Sequence, residues 1–448
     1  RDLHLSIRRQ RQMCIRDSGF RGPADTVITP EFCLSLGFHT GSIIKEKGYD
    51  SVIIGKDTRV SGYMLEAALQ AGFISAGIDV KLAGPIPTPA VSFLTATYAG
   101  QFGVVISASH NPFSDNGIKF FNRHGRKISR ELEKEIENRL QNSSQPLKAK
   151  DLGKAFRIDS ASGRYVEYCK STLKGNSTFQ NKTILVDGAN GANYKITPML
   201  LRELGAEVIQ VNCNPDGFNI NVDSAVLKQE LFKEYAKNYN FDYCVAVDGD
   251  GDRLVLSDSD GIIFDGDDIL YTLAARNKII GKKASDKVIG TTMSNQGLVE
   301  ALDSIGVGFI RTDVGDKFIS RELVKENLNV GAEPSGHIIQ REYSESGDAN
   351  IALIQTISAL EELDTTMQEI KSKINYKPLT LKNFPVKNID IIETKSFNEI
   401  IDELKDHFPS ARISVRKSGT EPIIRVMAEA DTEDDKDEIL NRIESLIA

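Results

Sequence analysis

The sequence lacks long apolar runs, an excess of basic residues and closely spaced cysteine pairs. No stretch approaches the roughly 18 consecutive apolar residues of a membrane-spanning helix, so a spanning protein is excluded. Lys and Arg number 55 against 63 Asp and Glu, for a net charge of −8. This balance disfavours a nucleic-acid-binding protein, because proteins that bind a phosphate backbone normally carry basic excess. The net charge does not exclude a small anionic substrate, since binding one needs only a local cluster of Arg and Lys.

Cysteine is scarce and scattered, which excludes two further classes of site. The five cysteines include no Cys-x-x-Cys pair, so neither a zinc site nor a redox pair is indicated. We expect free thiols in a reducing compartment, and therefore a cytoplasmic protein without membrane or nucleic-acid partners. Residues 1–18 are rich in arginine and lack the apolar core of a secretory signal. We expect this segment to be a non-native or disordered leader outside the fold.

Three stretches of the chain repeat one pattern, at 51–82, 183–211 and 287–311. Each has an apolar run, a polar loop, a helical stretch ending at a glycine, and a second apolar run. Short continuous apolar runs are typical of strands buried on both faces, and their alternation with helices indicates parallel α/β units. The sequence therefore predicts three consecutive α/β domains with mixed, largely parallel sheets. The glycines at the ends of the three helical stretches are Gly77, Gly205 and Gly306.

The last part of the chain has a different pattern. A helical stretch at 396–408 precedes strand-like residues at 411–430 and a second helical stretch at 431–448. This order predicts a small C-terminal α+β domain. The predicted domain boundaries are 19–155, 156–255, 256–371 and 372–448.

The first loop with chemical potential follows an apolar strand and contains Ser109 and His110. In parallel α/β sheets, ligands bind at the carboxyl ends of strands, where this loop lies. Ser109 beside His110 could be a nucleophile. A plain Ser/Asn/Pro turn explains the loop equally well.

The second loop places Asp248, Asp250 and Asp252 alternately with glycine after another strand. Three carboxylates at this spacing suit a hard divalent cation, and without one they would repel each other. An EF-hand is excluded, because Arg253 and Ser259 stand where its Gly and Glu belong. The sequence favours a metal site over a purely structural loop.

The third loop carries Glu333, Ser335 and His337 in a glycine-containing segment before a strand. A carboxylate, a hydroxyl and an imidazole could bind the hydroxyls of a sugar. An ordinary polar loop is an equally good interpretation.

The fourth loop offers cationic side chains, hydroxyls and a run of main-chain N–H groups, a combination that binds phosphate. It is not a Walker A loop, because Gly-x4-Gly-Lys-Ser/Thr is absent. Phosphate binding is favoured over a plain turn. The residues are Arg416, Lys417, Ser418, Gly419 and Thr420.

These loops together resemble the α-D-phosphohexomutases. The matching motifs are GKDTRVSG (55–62), PIPTPA (85–90), ISASHNPFSDNGIKFF (106–121), VDGANGA (186–192), DGDGDR (248–253), EPSGHII (333–339) and RKSGTEPIIRV (416–426). The segment NPDGFNIN (214–221) resembles the bacterial branch of the family that acts on glucosamine phosphates. The resemblance implies four domains around a central cleft.

The resemblance also implies roles for particular residues. Its implied catalytic residues are a phosphorylated Ser109, His110, Lys119 and Arg21. Its implied Mg²⁺ ligands are Asp248, Asp250, Asp252 and the phosphate on Ser109. Its implied substrate-binding residues are Arg253, Glu333, Ser335, His337, Arg416, Ser418, Gly419, Thr420 and Arg425.

The activity implied by the resemblance is the interconversion of glucosamine 6-phosphate and glucosamine 1-phosphate through a phosphoserine and a 1,6-bisphosphate. A hexosamine or hexose 1,6-bisphosphate would prime the serine, and a homodimer is implied. Three alternatives stay open: a phosphomannomutase or phosphoglucomutase, a metal-dependent phosphatase, and a non-catalytic sugar-phosphate binding protein.

The chain departs from the family pattern in two places. Arg21 and Gly22 are kept, but the preceding Thr-Asp-Gly has become Arg16-Asp17-Ser18. The Cys-Gly-Ser expected after Asn221 is missing. Because of the first departure, the resemblance does not specify the position of Arg21 in the fold.

Overall fold

The computed structural model describes residues 19–98, 101–143, 145–175, 178–282, 284–386, 388–417 and 423–447. The predicted leader and the predicted phosphate-binding residues Ser418, Gly419 and Thr420 lie outside these residues. Across the described chain, no helix is both long enough and apolar enough to span a membrane.

The described residues form strands and helices in alternation. The strands are β1 Phe20–Pro23, β2 Ser51–Lys56, β3 Asp79–Pro85, β4 Gln101–Ile106, β5 Asp115–Phe121, β6 Ala155–Arg157, β7 Thr183–Asp187, β8 Glu207–Val211, β9 Tyr243–Val247, β10 Leu254–Asp258, β11 Ile263–Phe264, β12 Lys287–Thr291, β13 Gly308–Thr312, β14 Val330–Ala332, β15 Ile338–Gln340, β16 Leu379–Pro385, β17 Arg412–Lys417 and β18 Ile423–Glu429. The helices are α1 Pro30–Glu46, α2 Ser61–Ser75, α3 Thr88–Thr97, α4 Arg130–Arg139, α5 Ala161–Ser171, α6 Ile196–Glu203, α7 Glu230–Asn238, α8 Gly266–Ile279, α9 Gln296–Ser304, α10 Asp316–Lys325, α11 Ala349–Glu362, α12 Met367–Lys373, α13 Lys395–His407 and α14 Glu433–Ile447.

The three repeated stretches fold as predicted, each into a strand, a helix and a parallel partner strand. The pairs are β2 with β3, β7 with β8, and β12 with β13. The glycine after each helix has positive φ, at 77° for Gly77, 96° for Gly205 and 70° for Gly306. Glycine adopts this helix-ending conformation at the lowest steric cost. The mixed α/β class is therefore confirmed.

The strands form four separate sheets. Their strand orders are β1-β5-β4-β2-β3-β6, β11-β10-β9-β7-β8, β13-β12-β14-β15 and β16-β18-β17. The second sheet includes the antiparallel pair β10 and β11, which extends to Phe264. The predicted boundary at 255 therefore cuts through this sheet, because the chain turns back beside β9 after the aspartate loop instead of leaving it.

Packing joins the first three sheets and sets the fourth apart. One continuous cluster of buried side chains includes Ile53, Val186 and Leu298, one from each of the first three sheet units. The fourth sheet has its own core, which includes Ile424 of β18 and Ile439 of α14. The first three units are thus held by shared apolar burial, which is the main stabilising term in folding.

Candidate active site

Ser109 lies at the carboxyl end of β4 and is 2% exposed. Its Oγ donates a hydrogen bond to Asp248 Oδ2 at 2.7 Å, across the boundary between the first and second sheets. Its main-chain N–H donates to Ser107 Oγ at 3.0 Å, and Ser107 Oγ donates to Asp57 Oδ2 at 2.5 Å. The serine thus has a fixed direction, towards the aspartate loop.

Two side chains that the sequence analysis did not single out also hold this loop. Arg59 and Asn221 both donate to the main-chain carbonyls of Ser109 and Asn111. Each lies in a segment that carried the family resemblance. The motif alone gives no signal for these contacts, because Asn221 is 112 positions from Ser109 in the chain.

Asp248, Asp250 and Asp252 converge at the carboxyl end of β9. One carboxylate oxygen from each lies within 4.8 Å of the other two. Within the described chain, Asp250 Oδ1 and Asp252 Oδ1 are buried and have no hydrogen-bond partner. Unpaired buried carboxylate oxygens are costly unless a cation satisfies them, so this donor set fits a hard divalent metal.

The charges around the three carboxylates differ. Burial raises the pKa of Asp248 well above its usual value, and the carboxylates of Asp252 and Asp250 add to that effect. Burial also acts on Asp252, but Lys119 and His337 outweigh it and hold the pKa of that carboxyl well below its usual range. Three carboxylates this close therefore need positive charge nearby.

Lys119 supplies part of that charge from β5. It is 3% exposed, and its Nζ lies 2.5 Å from Asp250 Oδ2 and 3.7 Å from Asp252 Oδ2. Burial disfavours the ammonium, but these two carboxylates outweigh it and raise the pKa of Lys119. Thr88, in the PIPTPA motif, donates to the same oxygen of Asp250 at 2.5 Å.

His110 and Arg21 lie near enough to each other to interact electrostatically. Burial, then the charges of Arg253 and Arg21, lower the pKa of His110 to about 4, so this imidazole is neutral at pH 7. Arg21 lies in β1, which pairs antiparallel with β5 and brings Arg21 opposite Gly117. The altered residues before Arg21 therefore leave it beside the strand that carries Lys119.

The predicted sugar loop joins the aspartate loop directly. Arg253 and His337 form an isolated antiparallel bridge. The His337 ring lies between two carboxylates, 3.8 Å from Asp252 and 3.8 Å from Asp316. Glu333 is buried and accepts a hydrogen bond from Gly315 N at 2.9 Å.

Asp316 and Lys127 are two neighbours of this loop that the sequence analysis did not single out. Asp316 begins α10 and forms an ion pair with Lys127 from the first unit. Ser335 is exposed at the tip of its loop. The structure thus brings Glu333 and His337 to the aspartate site and leaves Ser335 exposed on the same loop.

The predicted phosphate loop is described only at the ends of its two strands. Arg416 of β17 stands directly opposite Arg425 of β18. Like charges directly opposite on neighbouring strands repel, so this pair favours an anion between or beside them. Lys417 instead forms ion pairs with Asp390 at 2.6 Å and Glu393 at 2.5 Å, both of which are largely exposed to solvent.

Four family models match the chain, and together they cover most of it. Their descriptions are phosphoglucomutase/phosphomannomutase alpha/beta/alpha domain I at residues 12–147, domain II at 163–261, domain III at 265–376, and the C-terminal domain at 369–446.

Curated relatives match nearly the full length. A phosphoglucosamine mutase of Marinomonas sp. (strain MWYL1) is 44% identical over 425 residues, which is 94% of this chain and 94% of the relative. A phosphoglucosamine mutase of Psychromonas ingrahamii is 41% identical over 422 residues, covering 92% of this chain and 94% of the relative.

Solved structures show the same fold at lower identity. A phosphoglucomutase/phosphomannomutase family protein from Burkholderia thailandensis aligns with a TM-score of 0.80 at 21% identity, covering 96% of each chain. Aspergillus fumigatus N-acetylphosphoglucosamine mutase, in complex with GlcNAc-6P and magnesium, aligns with a TM-score of 0.67 at 16% identity, covering 99% of this chain and 98% of that one.

Proposed function

The chain belongs to the phosphoglucomutase/phosphomannomutase family of isomerases, and from that premise we propose that it interconverts glucosamine 6-phosphate and glucosamine 1-phosphate. The relatives named phosphoglucosamine mutase, at 41% and 44% identity over almost the whole chain, support this choice of sugar. The observation that carries the reaction type is the position of Ser109 Oγ, 2.7 Å from Asp248 in a buried ring of carboxylates.

The proposed reaction has two phosphoryl transfers. In the first, the phosphorus–oxygen bond to Ser109 breaks, and a new one forms to the free hydroxyl of the phosphosugar, giving a 1,6-bisphosphate. In the second, the other phosphate of this intermediate returns to Ser109. A hexosamine or hexose 1,6-bisphosphate would supply the first phosphoryl group to an unphosphorylated serine.

Proton balance in the first transfer requires a donor and an acceptor, because the sugar hydroxyl loses a proton while Ser109 Oγ gains one. We assign the donor to Lys119, whose ammonium stays charged because Asp250 and Asp252 outweigh burial. We assign the acceptor to His110, which is neutral and whose Nδ1 has no hydrogen-bond partner in the described residues. The roles reverse in the second transfer.

The other site residues would bind charge and orient the sugar. Arg253 and Arg21 lie close enough to His110 to lower its pKa, and we assign them to the transferring phosphate. Glu333, Ser335 and His337 would bind the sugar. The residues assigned to the phosphate that does not react are Arg416, Ser418, Gly419, Thr420 and Arg425.

Asp248, Asp250 and Asp252, with the seryl phosphate, would hold Mg²⁺. When bound, the ion would neutralise charge on the phosphoryl group. The magnesium in the Aspergillus relative supports this identity of the metal. We also assign the protein to the cytoplasm, which is supported by the absence of disulfides among the described cysteines. The family resemblance supports a homodimer, which sedimentation would test.

The test is a mutase assay with Mg²⁺, glucose 1,6-bisphosphate and equal concentrations of glucosamine, glucose and mannose phosphates. We expect a clear preference for the glucosamine phosphate, and loss of turnover in Ser109→Ala. A preference for another sugar phosphate would overturn the proposed identity of the substrate. Steady release of inorganic phosphate would indicate a phosphatase, and binding without turnover would indicate a sugar-phosphate binding protein.

A further inference from the structure

The backbone of Ser109 is held in an uncommon conformation. Its φ is 53°, in the left-handed region that residues other than glycine rarely adopt. Such a conformation persists only where the surrounding structure enforces it, and it is most frequent at functional sites. The contacts that enforce it here therefore bear on where Ser109 Oγ points.

Four hydrogen bonds hold the main-chain carbonyls of this loop. Arg59 Nη2 donates to the carbonyl of Ser109 at 2.9 Å and to that of Asn111 at 2.8 Å. Asn221 Nδ2 donates to the same two carbonyls, at 2.9 Å and 3.0 Å. Each carbonyl oxygen thus accepts two hydrogen bonds, one from each side chain. We call this arrangement the carbonyl clamp.

Arg59 is the half of the carbonyl clamp that comes from the first unit. It is 0% exposed, and all five of its guanidinium N–H groups have acceptors. Besides the carbonyl clamp, Nε donates to Asp57 at 2.8 Å, and Nη1 donates to the carbonyls of Pro112 and Asp115. This half fixes the loop to its own sheet.

Asn221 is the half that comes from the second unit, which also carries Asp248. Its own φ is 63°, and its main-chain N–H donates to Ala189 at 2.8 Å. Gly249 closes the space beside it, because a Cβ there would lie 2.6 Å from the carbonyl oxygen of Ser109. The amide of Asn221 therefore connects the serine loop to the unit that holds the metal-binding carboxylates.

We propose that Asn221 is a positioning residue for the nucleophile. Together with Arg59, it holds Ser109 in the left-handed conformation and fixes the distance between Ser109 Oγ and Asp248 across two units of the fold. The proposal rests on the phosphoserine chemistry proposed above. A displacement of about 1 Å at a reacting atom can cost about 100-fold in rate, so a loosened loop should slow transfer without weakening sugar binding.

The test compares Asn221→Gly with Asn212→Gly. Asn212 is a matched control: its φ is 49°, and its amide donates to Asp187 and to the carbonyl of Asp223, all inside the second unit. Glycine accepts positive φ, so both variants remove an amide without adding backbone strain. Each variant is loaded with glucose 1,6-bisphosphate, and phosphorylation of Ser109 is followed by intact mass.

We expect Asn221→Gly to load Ser109 about 10- to 100-fold more slowly and to lower kcat similarly, with KM close to the parent value. Asn212→Gly should keep both rates. Amide hydrogen exchange should accelerate at residues 107–113 in Asn221→Gly only. Equal loading, turnover and exchange in the two variants would overturn the proposal.

Two further arms keep the outcomes separate. Asn221→Asp replaces Asn221→Gly if the glycine variant folds poorly. It keeps the size of the side chain and tolerates the same φ, but it presents an oxygen to the two carbonyls. We therefore expect it to load Ser109 at least as slowly as Asn221→Gly. If the parent protein neither loads nor turns over glucosamine phosphate, the proposed function fails. The exchange comparison still decides whether the carbonyl clamp orders the loop.

Discussion

Asp348 shows how burial sets the charge state of a single carboxyl. It is 3% exposed, and its Oδ1 accepts hydrogen bonds from Tyr165 Oη at 2.7 Å and Ile351 N at 3.0 Å. Burial raises the pKa of this carboxyl to about 6. The folded protein therefore binds this proton more tightly than the unfolded chain, in which an aspartate has a pKa of about 3.9.

The sign of the resulting pH dependence follows from proton linkage. Between about pH 4 and pH 6 the folded state holds more protons, so the free energy of unfolding falls as pH rises. Asp348→Asn keeps both hydrogen bonds through its Oδ1 and cannot ionise. We expect it to gain on the order of 2–3 kcal/mol relative to the parent protein over this range. Urea unfolding at a series of pH values measures the difference, and parallel pH curves would contradict the burial argument.

At the scale of elements, β17 and β18 face each other with Arg416 and Arg425 in direct register. Within the described chain, Arg425 Nε is buried without a hydrogen-bond partner. A sheet that keeps two opposed guanidiniums loses some stability to repulsion, and an anion would reverse that loss. These observations agree with the phosphate-binding role proposed for the pair.

We expect Arg425→Gln to raise KM for the phosphosugar about 10- to 100-fold, because a charge-assisted hydrogen bond contributes about 1.5–3 kcal/mol. The thermal unfolding midpoint should stay the same or rise slightly, since a like-charge pair is removed. The control is Arg442→Gln, whose arginine pairs with Glu438 on the exposed face of α14. An unchanged KM in Arg425→Gln would show that this pair does not bind the phosphosugar.

The elements themselves were predictable from local pattern. The strands β2, β7 and β12 read as apolar runs, and a glycine with positive φ follows each helix of the repeated units. The convergence of the three carboxylates was predictable for a similar reason, since carboxylates at this spacing suit a hard divalent cation.

Contacts between loops of different units were not predictable in the same way. Asn221 of the second unit meets Ser109 only after the chain has formed separate sheets, and no short-range pattern specifies that pairing. Lys417 is a second example, because the sequence pattern around it does not indicate its ion pairs with Asp390 and Glu393. Long-range pairing depends on packing, and a motif does not encode it.

At the scale of the whole molecule, polar contacts connect the fourth sheet to the third unit. Arg412 of β17 donates to the main-chain carbonyls of Ser294 and Thr292. Glu429 of β18 is 2% exposed, pairs with Arg412, and accepts from Gln296 N at 2.6 Å. Since the fourth sheet has its own apolar core, these hydrogen bonds are well placed to set its orientation.

Removing the charge of Glu429 should therefore loosen the orientation of the fourth sheet relative to the third unit. Burial raises the pKa of Glu429, while Gln296 N and Arg412 oppose that rise. In Glu429→Gln, Arg412 keeps its charge but loses its carboxylate partner, so Asp267 opposes its repulsion with Arg311 without the help of Glu429. Removing one partner of a fully buried ion pair costs about 3–5 kcal/mol. The cost is smaller here, because Arg412 is 20% exposed and keeps its main-chain acceptors at Ser294 and Thr292.

We expect Glu429→Gln to raise KM more than it lowers kcat, because Arg416 and Arg425 would be held less firmly over the sugar phosphate. Limited proteolysis should cut faster in the linker at 374–378, which joins the third unit to β16. Glu444→Gln is the control, since Glu444 pairs with Lys382 on the exposed face of the same sheet unit. If both variants show the parent KM and cleavage rate, the contact made by Glu429 does not set the orientation of the fourth sheet. A fall in kcat alone would instead place the effect of Glu429 in the chemical step.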